Sequence, residues 1–233
     1  MSAHSGADLQ RIYEARFAGT AAYRKRVWQV LVRAFFQKFV KSTDTVLDLG
    51  CGYGEFINEV RCAKKLAMDL NPDAQRHLDS SVQFLHQDCA TRWQVEPESL
   101  NVVFTSNFFE HLPDKASLGR TLDEIFRGLA HGGRLIALGP NVRYLPGAYW
   151  DFWDHHLPLT EVSLGEGLTN RGFEVIKSVD RFLPYTMVKA REYPQSLIKI
   201  YLAMPGLWPL FGNQFLVVAQ KPSPGNEGRR FKP

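Results

Sequence analysis

The stretch Val46-Leu47-Asp48-Leu49-Gly50-Cys51-Gly52-Tyr53-Gly54-Glu55-Phe56 carries the densest chemical signal in the chain. An apolar run ends in three alternating glycines and leads into a helical pattern. Glycine tolerates positive φ and lets a ligand approach the backbone without a Cβ in between. A helix starting there turns its free N–H groups toward an anionic group such as a carboxylate. Asp48, at the strand end, is suited to accept backbone N–H bonds and fix the turn. Asp69 closes the next apolar run, Leu66-Ala67-Met68-Asp69, nineteen residues after Gly50. A carboxylate there can accept two ribose hydroxyls, each charge-assisted bond contributing ~1.5–3 kcal/mol. After a third run, Asp88 in Gln87-Asp88-Cys89 is suited to the exocyclic amine of adenine. Solvent exposure explains any one of these acids, but not three at successive strand ends.

Nicotinamide-binding folds share such a turn, with a G-x-G-x-x-G spacing whose third glycine thins a helix against the sheet. Here the spacing is Gly50-x-Gly52-x-Gly54, and Glu55 stands where that third glycine would be. No pyrophosphate needs cradling if the ligand is a nucleoside without phosphate. Together these residues resemble the class I S-adenosylmethionine-dependent methyltransferases, whose glycine-rich signature is similar to VLDLGCGYG. The resemblance covers residues 45–140. It implies a Rossmann-like, doubly wound seven-stranded sheet with its last strand antiparallel and helices on both faces. It also implies a cofactor site lined by Asp48, Gly50, Cys51, Gly52, Gly54, Asp69, Leu70, Asp88, Cys89 and Asn107, with S-adenosyl-L-methionine as cofactor. Arg16, ahead of the first strand, is a candidate partner for the cofactor carboxylate.

The second half of the chain bears on the acceptor. Ser106-Asn107-Phe108-Phe109-Glu110-His111-Leu112-Pro113 follows the fourth strand, the place that lies beside the transferred methyl group in the family. Its "EHL" triplet looks like the small-molecule branch. It departs from the [DNS]-P-P-[YFW] motif of nucleobase amino-methylating enzymes, and the Pro-Cys nucleophile of cytosine C5 enzymes is missing. DNA and RNA are therefore not the expected substrates. Beyond Gly139-Pro140-Asn141 comes Tyr149-Trp150-Asp151-Phe152-Trp153-Asp154-His155-His156. Tyr149, Trp150, Trp153 and Asp154 suit a polar ring with apolar C–H faces, such as a sugar; the alternative is that these aromatics only cover the core. The layout is similar to bacterial methyltransferases associated with polysaccharide and glycolipid modification, which implies a small-molecule or glycan acceptor.

His155 and His156 are candidates to deprotonate an acceptor hydroxyl, because the unperturbed imidazole pKa is ~6.5. His111 is a further candidate base. Packing or capping is an equally open role for the pair. A divalent ion held by Asp151, Asp154, His155 and His156 is disfavoured, since adjacent histidines point apart in an extended chain, and no metal is expected.

The elements that must position these residues alternate. Residues 9–41 read as helical, with an apolar arc wide enough for burial on more than one side. Short apolar runs at 45–49, 65–69, 82–85, 101–106, 134–138, 173–179 and 215–219 read as strands. Helical patterns at 56–63, after Asn71-Pro72-Asp73, after an Asp114 cap, and at 159–170 lie between them. Such alternation implies a parallel sheet with ligands at the carboxyl ends of its strands. One methyltransferase domain is expected over 1–221, comprising a helical cap at 1–44 and an insertion at 183–212, followed by a flexible basic tail at 222–233. The insertion suits a lid, a dimer contact or an interfacial helix, so peripheral membrane contact stays open, as does the oligomeric state.

Composition narrows the class. The 233 residues are 45% hydrophobic and 22% charged, with a net charge of +4. That excess is local: residues 23–41 carry +6 and 222–233 carry +2, which leaves −4 on the rest. The body is not a general polyanion binder. Three cysteines with no CxxC pair point to reduced thiols and a cytoplasmic location. No apolar run reaches the ~20 residues of a membrane span, and the first ten residues lack a signal-peptide layout. Two other functions compete with methyl transfer: a non-catalytic S-adenosylmethionine-binding partner of a glycan-assembly enzyme, and an NAD-dependent oxidoreductase.

Overall fold

In the computed structural model, which describes residues 19–185 and 192–224, short β-rich runs assemble into one sheet. Its strands are β1 (Thr45–Leu49), β2 (Lys64–Asp69), β3 (Val82–His86), β4 (Leu100–Ser106), β5 (Leu129–Pro140), β6 (Glu174–Leu183) and β7 (Gln214–Gln220). They lie in the order β3-β2-β1-β4-β5-β7-β6. The pairings from β3 to β5 are parallel, and β7 runs antiparallel to both β5 and β6. The carboxyl ends of β1, β2, β4 and β5 therefore share one edge, where Gly50, Asp69, Asn107 and Asn141 emerge.

Side chains alternate across each strand, so the sheet feeds two cores. On one face Leu47, Met68, Val103 and Leu135 pack with α3 (Lys115–Gly128) and α4 (Glu161–Thr169), through Leu122, Ile125 and Leu164. On the other, Val46, Ala67, Phe104 and Ile136 meet α1 (Ala21–Ala34), α2 (Glu55–Glu59), α5 (Gln195–Ala203) and the short α6 (Trp208–Phe211). The breadth of the apolar arc in α1 follows from this placement. Val27, Trp28, Val30, Leu31 and Val32 are all buried.

Several helices are shorter than their patterns imply. The helix expected over 9–41 ends at Ala34, because Phe35 leaves helical geometry and a 3-10 turn at Phe36–Phe39 follows. That turn drives Phe36 between Trp28, Phe56 and Phe104; the aromatic cluster outweighs helical continuation. The start of that helix, residues 9–18, lies outside the described residues. The helix expected at 56–63 spans only Glu55–Glu59, with Val60 turning extended and buried. Residues Pro72–His77 form a 3-10 turn capped by the Asn71 side chain. The Asp114 cap stands as expected: its side chain accepts from the Ser117 N–H at 2.6 Å. Its helix stops at Gly128, earlier than the His131-Gly132-Gly133 break. Those residues lie inside β5, where the register against β4 shifts and a Cβ on Gly133 would come 2.8 Å from the Ala130 carbonyl.

Candidate active site

All three glycines of the turn adopt positive φ, at 68° for Gly50, 51° for Gly52 and 70° for Gly54. The turn is pinned to β2: Gly50 and Cys51 donate N–H bonds to the Met68 carbonyl at 2.9 and 3.2 Å. Asp48 is buried at the end of β1 and faces the backbone N–H of Ile57 in α2, so it ties strand to helix. Burial, followed by the charge of Glu55, holds its carboxyl well above the usual range. At Gly50 the missing Cβ is needed for packing as well as conformation, since a Cβ there would lie 2.3 Å from the Phe108 ring.

Asp69 stands half-buried at the end of β2. One carboxylate oxygen accepts from Gly52 N–H and the other from Asn71 N–H, each at 2.9 Å. A carboxylate offers about four lone-pair sites, so both oxygens keep capacity for hydroxyl donors. Burial raises its pKa, against the backbone N–H bonds of Asn71, Gly52 and Leu70 that lower it. Leu70 follows at the same edge, its carbonyl held by His86 at 3.0 Å. Asp88 accepts from the Ala90 N–H at 2.9 Å and turns the chain after β3. Cys89 is buried, with its thiol receiving the Thr121 hydroxyl at 3.3 Å and its pKa pushed up by burial to about 12. Asn107 adopts φ 50° just past β4 and donates its N–H to the Leu138 carbonyl at 3.0 Å. Arg16 lies outside the described residues.

Of the three histidines, His111 and His155 have their rings in contact. His111 closes a 3-10 turn after β4, and its Nδ1 lies 2.9 Å from the Asp154 carbonyl and 3.2 Å from the Asp154 carboxylate. Both neighbours are acceptors, so Nδ1 carries the hydrogen, and in the neutral ring Nε2 is the nitrogen that keeps its lone pair. Burial disfavours the imidazolium, but the Asp154 hydrogen bond and the charges of Glu110 and Asp154 outweigh it. The His111 pKa lies above its ordinary value. His155 is buried, its ring 5.0 Å from that of His111, 4.8 Å from Tyr149 and 4.9 Å from Phe152. His156 is half-buried and donates its backbone N–H to the Glu110 carbonyl at 2.8 Å. Tyr149 is fully buried and its hydroxyl has no hydrogen-bond partner among the described residues. Trp150 and Trp153 are 57% and 85% exposed, so they do not cover the core. Among the described residues, the group whose ligand atoms lie within 4.8 Å of one another is Glu110, His111 and His155, a different set from Asp151, Asp154, His155 and His156.

Sequence reasoning passed over several residues at this edge. Glu110 is buried beside the histidines; its place in the EHL triplet was the available signal. Glu55, read only as a missing glycine, forms a 2.7 Å ion pair with Arg24 of α1. Asn141, fully buried, donates to Glu161 at 2.5 Å and to the Asp180 carbonyl at 3.0 Å, locking the end of β5 to α4 and β6. Nothing local in the sequence announces those partners.

The family model for a methyltransferase domain matches residues 20–178. The chain belongs to that family. As a methyltransferase it takes S-adenosylmethionine as its cofactor, and the residues at the glycine turn fit that group. The turn is built from positive-φ glycines, and Asp69 is aimed by two backbone N–H groups while retaining acceptor capacity. The oxidoreductase and the non-catalytic alternatives give way to the enzyme. Solved structures place the methyltransferase in the same fold. One is a chain of the complex between the Haloferax volcanii Trm112 methyltransferase activator and a methyltransferase (TM-score 0.67, 20% identity, 91% of this chain and 97% of that one). Another is an S-adenosylmethionine-dependent methyltransferase from Archaeoglobus fulgidus (0.64, 19%, 88% and 99%). A third is a methyltransferase from Bacillus halodurans (0.61, 17%, 84% and 99%). No curated relative matches the chain.

Proposed function

We propose that this methyltransferase transfers a methyl group to a hydroxyl of a small-molecule or sugar acceptor, and that His111 is the general base. The observation that carries the reading is the His111–Asp154 contact within a buried polar cluster at the carboxyl edge of the sheet. The charge of His111 acts, as the smallest of several influences, to lower the Asp69 pKa, which supports reading base and ribose acid as parts of one site. In this reading Asp48, Gly50, Cys51, Gly52, Gly54, Asp69, Leu70, Asp88, Cys89 and Asn107 form the cofactor side. Tyr149, Trp150, Trp153 and Asp154 form the acceptor side, within a single domain over 1–221.

Bound S-adenosylmethionine supplies a sulfonium methyl that is already activated. The protein's task is then alignment, which accounts for ~7–11 kcal/mol in well-oriented reactions, against ~3–5 kcal/mol for a general base. Asp154 holds the ring of His111 through Nδ1, which leaves Nε2 as the nitrogen to take a proton. Nε2 would take the proton that the acceptor hydroxyl gives up on methylation, while the methyl–sulfur bond breaks and leaves the cofactor as the neutral thioether. The imidazolium so formed is balanced by Asp154 and Glu110. The Tyr149 hydroxyl, buried beside His155, is available to bond a second acceptor hydroxyl. The exposed rings of Trp150 and Trp153 offer faces for the C–H side of a sugar.

Assays of S-adenosylhomocysteine formation across hydroxylated sugars, glycolipids and amines test this reading. Turnover with a hydroxyl acceptor that survives a chelator supports the base. A rate abolished by EDTA and restored by a divalent ion would replace it with an ion held by Glu110, His111 and His155.

A further inference from the structure

Thirty residues after β6, the chain rejoins the sheet close to where it left. Asn213 donates its N–H to the Leu183 carbonyl at 2.8 Å, and the Gln214 side chain donates to the Pro184 and Tyr185 carbonyls, each at 2.8 Å. Leu183 pairs with Gln214, and Gln214 with Pro140, so this excursion is anchored at the carboxyl edge that also carries the active site. It lies beyond the residues that match the family model.

The excursion has two distinct sides. Leu202 and Trp208 are buried against α1, with Trp208 5.8 Å from Phe35 by ring centroids. The Tyr201 hydroxyl donates to the Phe182 carbonyl at 2.6 Å, and Trp208 Nε1 to the Tyr201 carbonyl at 2.9 Å. On the outward side, Leu197, Ile200, Met204, Leu210 and Phe211 are 50–66% exposed. Leu197, Ile200 and Met204 follow a spacing of three and four, one face of a helix. With Leu210 and Phe211 on the adjoining α6, five large apolar side chains stand exposed within fifteen residues, more than the scattered exposure of an ordinary surface.

Near the ridge the bases Lys25, Arg26, Lys38 and Lys199 outnumber the acid Glu192. Residues 192–213 hold a single acid, Glu192, and it is paired with Arg26 at 2.9 Å. Lys199 is exposed on α5 itself. Lys25 and Arg26 stand exposed near one end of the ridge, where Tyr193 donates its N–H to the Tyr23 hydroxyl at 3.0 Å. Near the other end Lys38 is exposed, its ammonium 3.6 Å over the Phe35 ring that touches Trp208. An apolar ridge flanked by cations matches the interface of an anionic bilayer, where acyl chains lie under phosphate groups. Among the described residues no helix is long and apolar enough to cross a membrane, so the seat would be on the surface.

We propose that the ridge of α5 and α6, flanked by Lys25, Lys38 and Lys199, docks the enzyme on an anionic lipid bilayer. The seat is independent of which acceptor oxygen is methylated. It sets the carboxyl edge beside the membrane, so an acceptor with a lipid tail is presented in place.

Co-sedimentation of the full chain with vesicles tests the proposal. Phosphatidylcholine vesicles containing phosphatidylglycerol should pellet the enzyme, and phosphatidylcholine alone should pellet far less. Salt should weaken the anionic binding. The triple variant Leu197→Ser, Ile200→Ser, Phe211→Ser and the charge variant Lys25→Glu, Lys38→Glu should each lower partitioning by about tenfold or more. Calorimetric S-adenosylmethionine affinity and turnover of a water-soluble acceptor should be unchanged in both, which separates loss of docking from failure of the catalytic reading. Absence of binding to anionic vesicles, or equal binding by the triple variant, would overturn it. So would a wild-type dimer that the triple variant converts to monomer without any vesicle binding, since the face would then belong to a second copy.

Discussion

In the proposed reading Asp69 serves the cofactor and His111 the acceptor, so their substitutions should separate cleanly. Asp69 is aimed by Gly52 and Asn71 N–H groups and stands beside the turn. Asp69→Ala should weaken calorimetric S-adenosylmethionine affinity by about 1.5–3 kcal/mol, or roughly ten- to a hundredfold. Unchanged affinity would remove Asp69 from the cofactor side. The pH dependence follows from His111. A base must be neutral to accept a proton, and its pKa is raised above the ordinary ~6.5 by the Asp154 bond and the Glu110 charge, against burial. The acid limb of kcat/KM should therefore fall at a pH above the usual histidine range. Asp154→Asn removes the charge that favours the imidazolium, so the limb should move to lower pH. A limb that stays in place would show that His111 is not the group that titrates.

Helices and turns hold these groups through contacts far apart in sequence. Arg24 of α1 reaches Glu55 at the first residue of α2, and both side chains are largely buried, at 12% and 14% exposure. Arg24→Ala and Glu55→Ala should each destabilise the protein by about 1–3 kcal/mol in urea melts. The double variant should cost less than their sum, since the partners share one interaction. Strict additivity would show that the pair does not couple the N-terminal layer to the glycine turn. Gly212 poses a separate constraint where α6 enters β7. A Cβ there would come within 2.6 Å of the Arg181 backbone carbon, so Gly212→Ala should lower Tm by several degrees, about 2–4 °C per kcal/mol in a chain of this size. An unshifted Tm would mean that the β6–β7 edge yields freely.

Across the whole molecule, what could be read from the sequence was what is written locally. The turn from Asp48 to Glu55, the acid at Asp69 and the Asp114 cap depend on neighbours a few residues away, and all take the expected form. Strand alternation gave the seven-stranded sheet because each run is bounded by turn residues. The site's other half depends on tertiary contact. His111 and Asp154 are 43 residues apart, so the histidine pair in the sequence, His155-His156, drew attention that geometry gives to His111 and His155. Helix lengths failed for a related reason: Phe35, Phe36 and Val60 are buried only because their helices stop early. The +4 net charge acquires a place as well, since bases on α1 flank the outward ridge of α5 and α6.

The claim that His111 deprotonates an acceptor hydroxyl is tested most directly by single-turnover methyl transfer in wild type and His111→Ala, with S-adenosylmethionine and acceptor saturating. The predicted result is a rate lower by about 10²–10⁴-fold in the variant, with cofactor affinity unchanged. A loss of only a few fold, or one that tracks weakened cofactor binding, would contradict it.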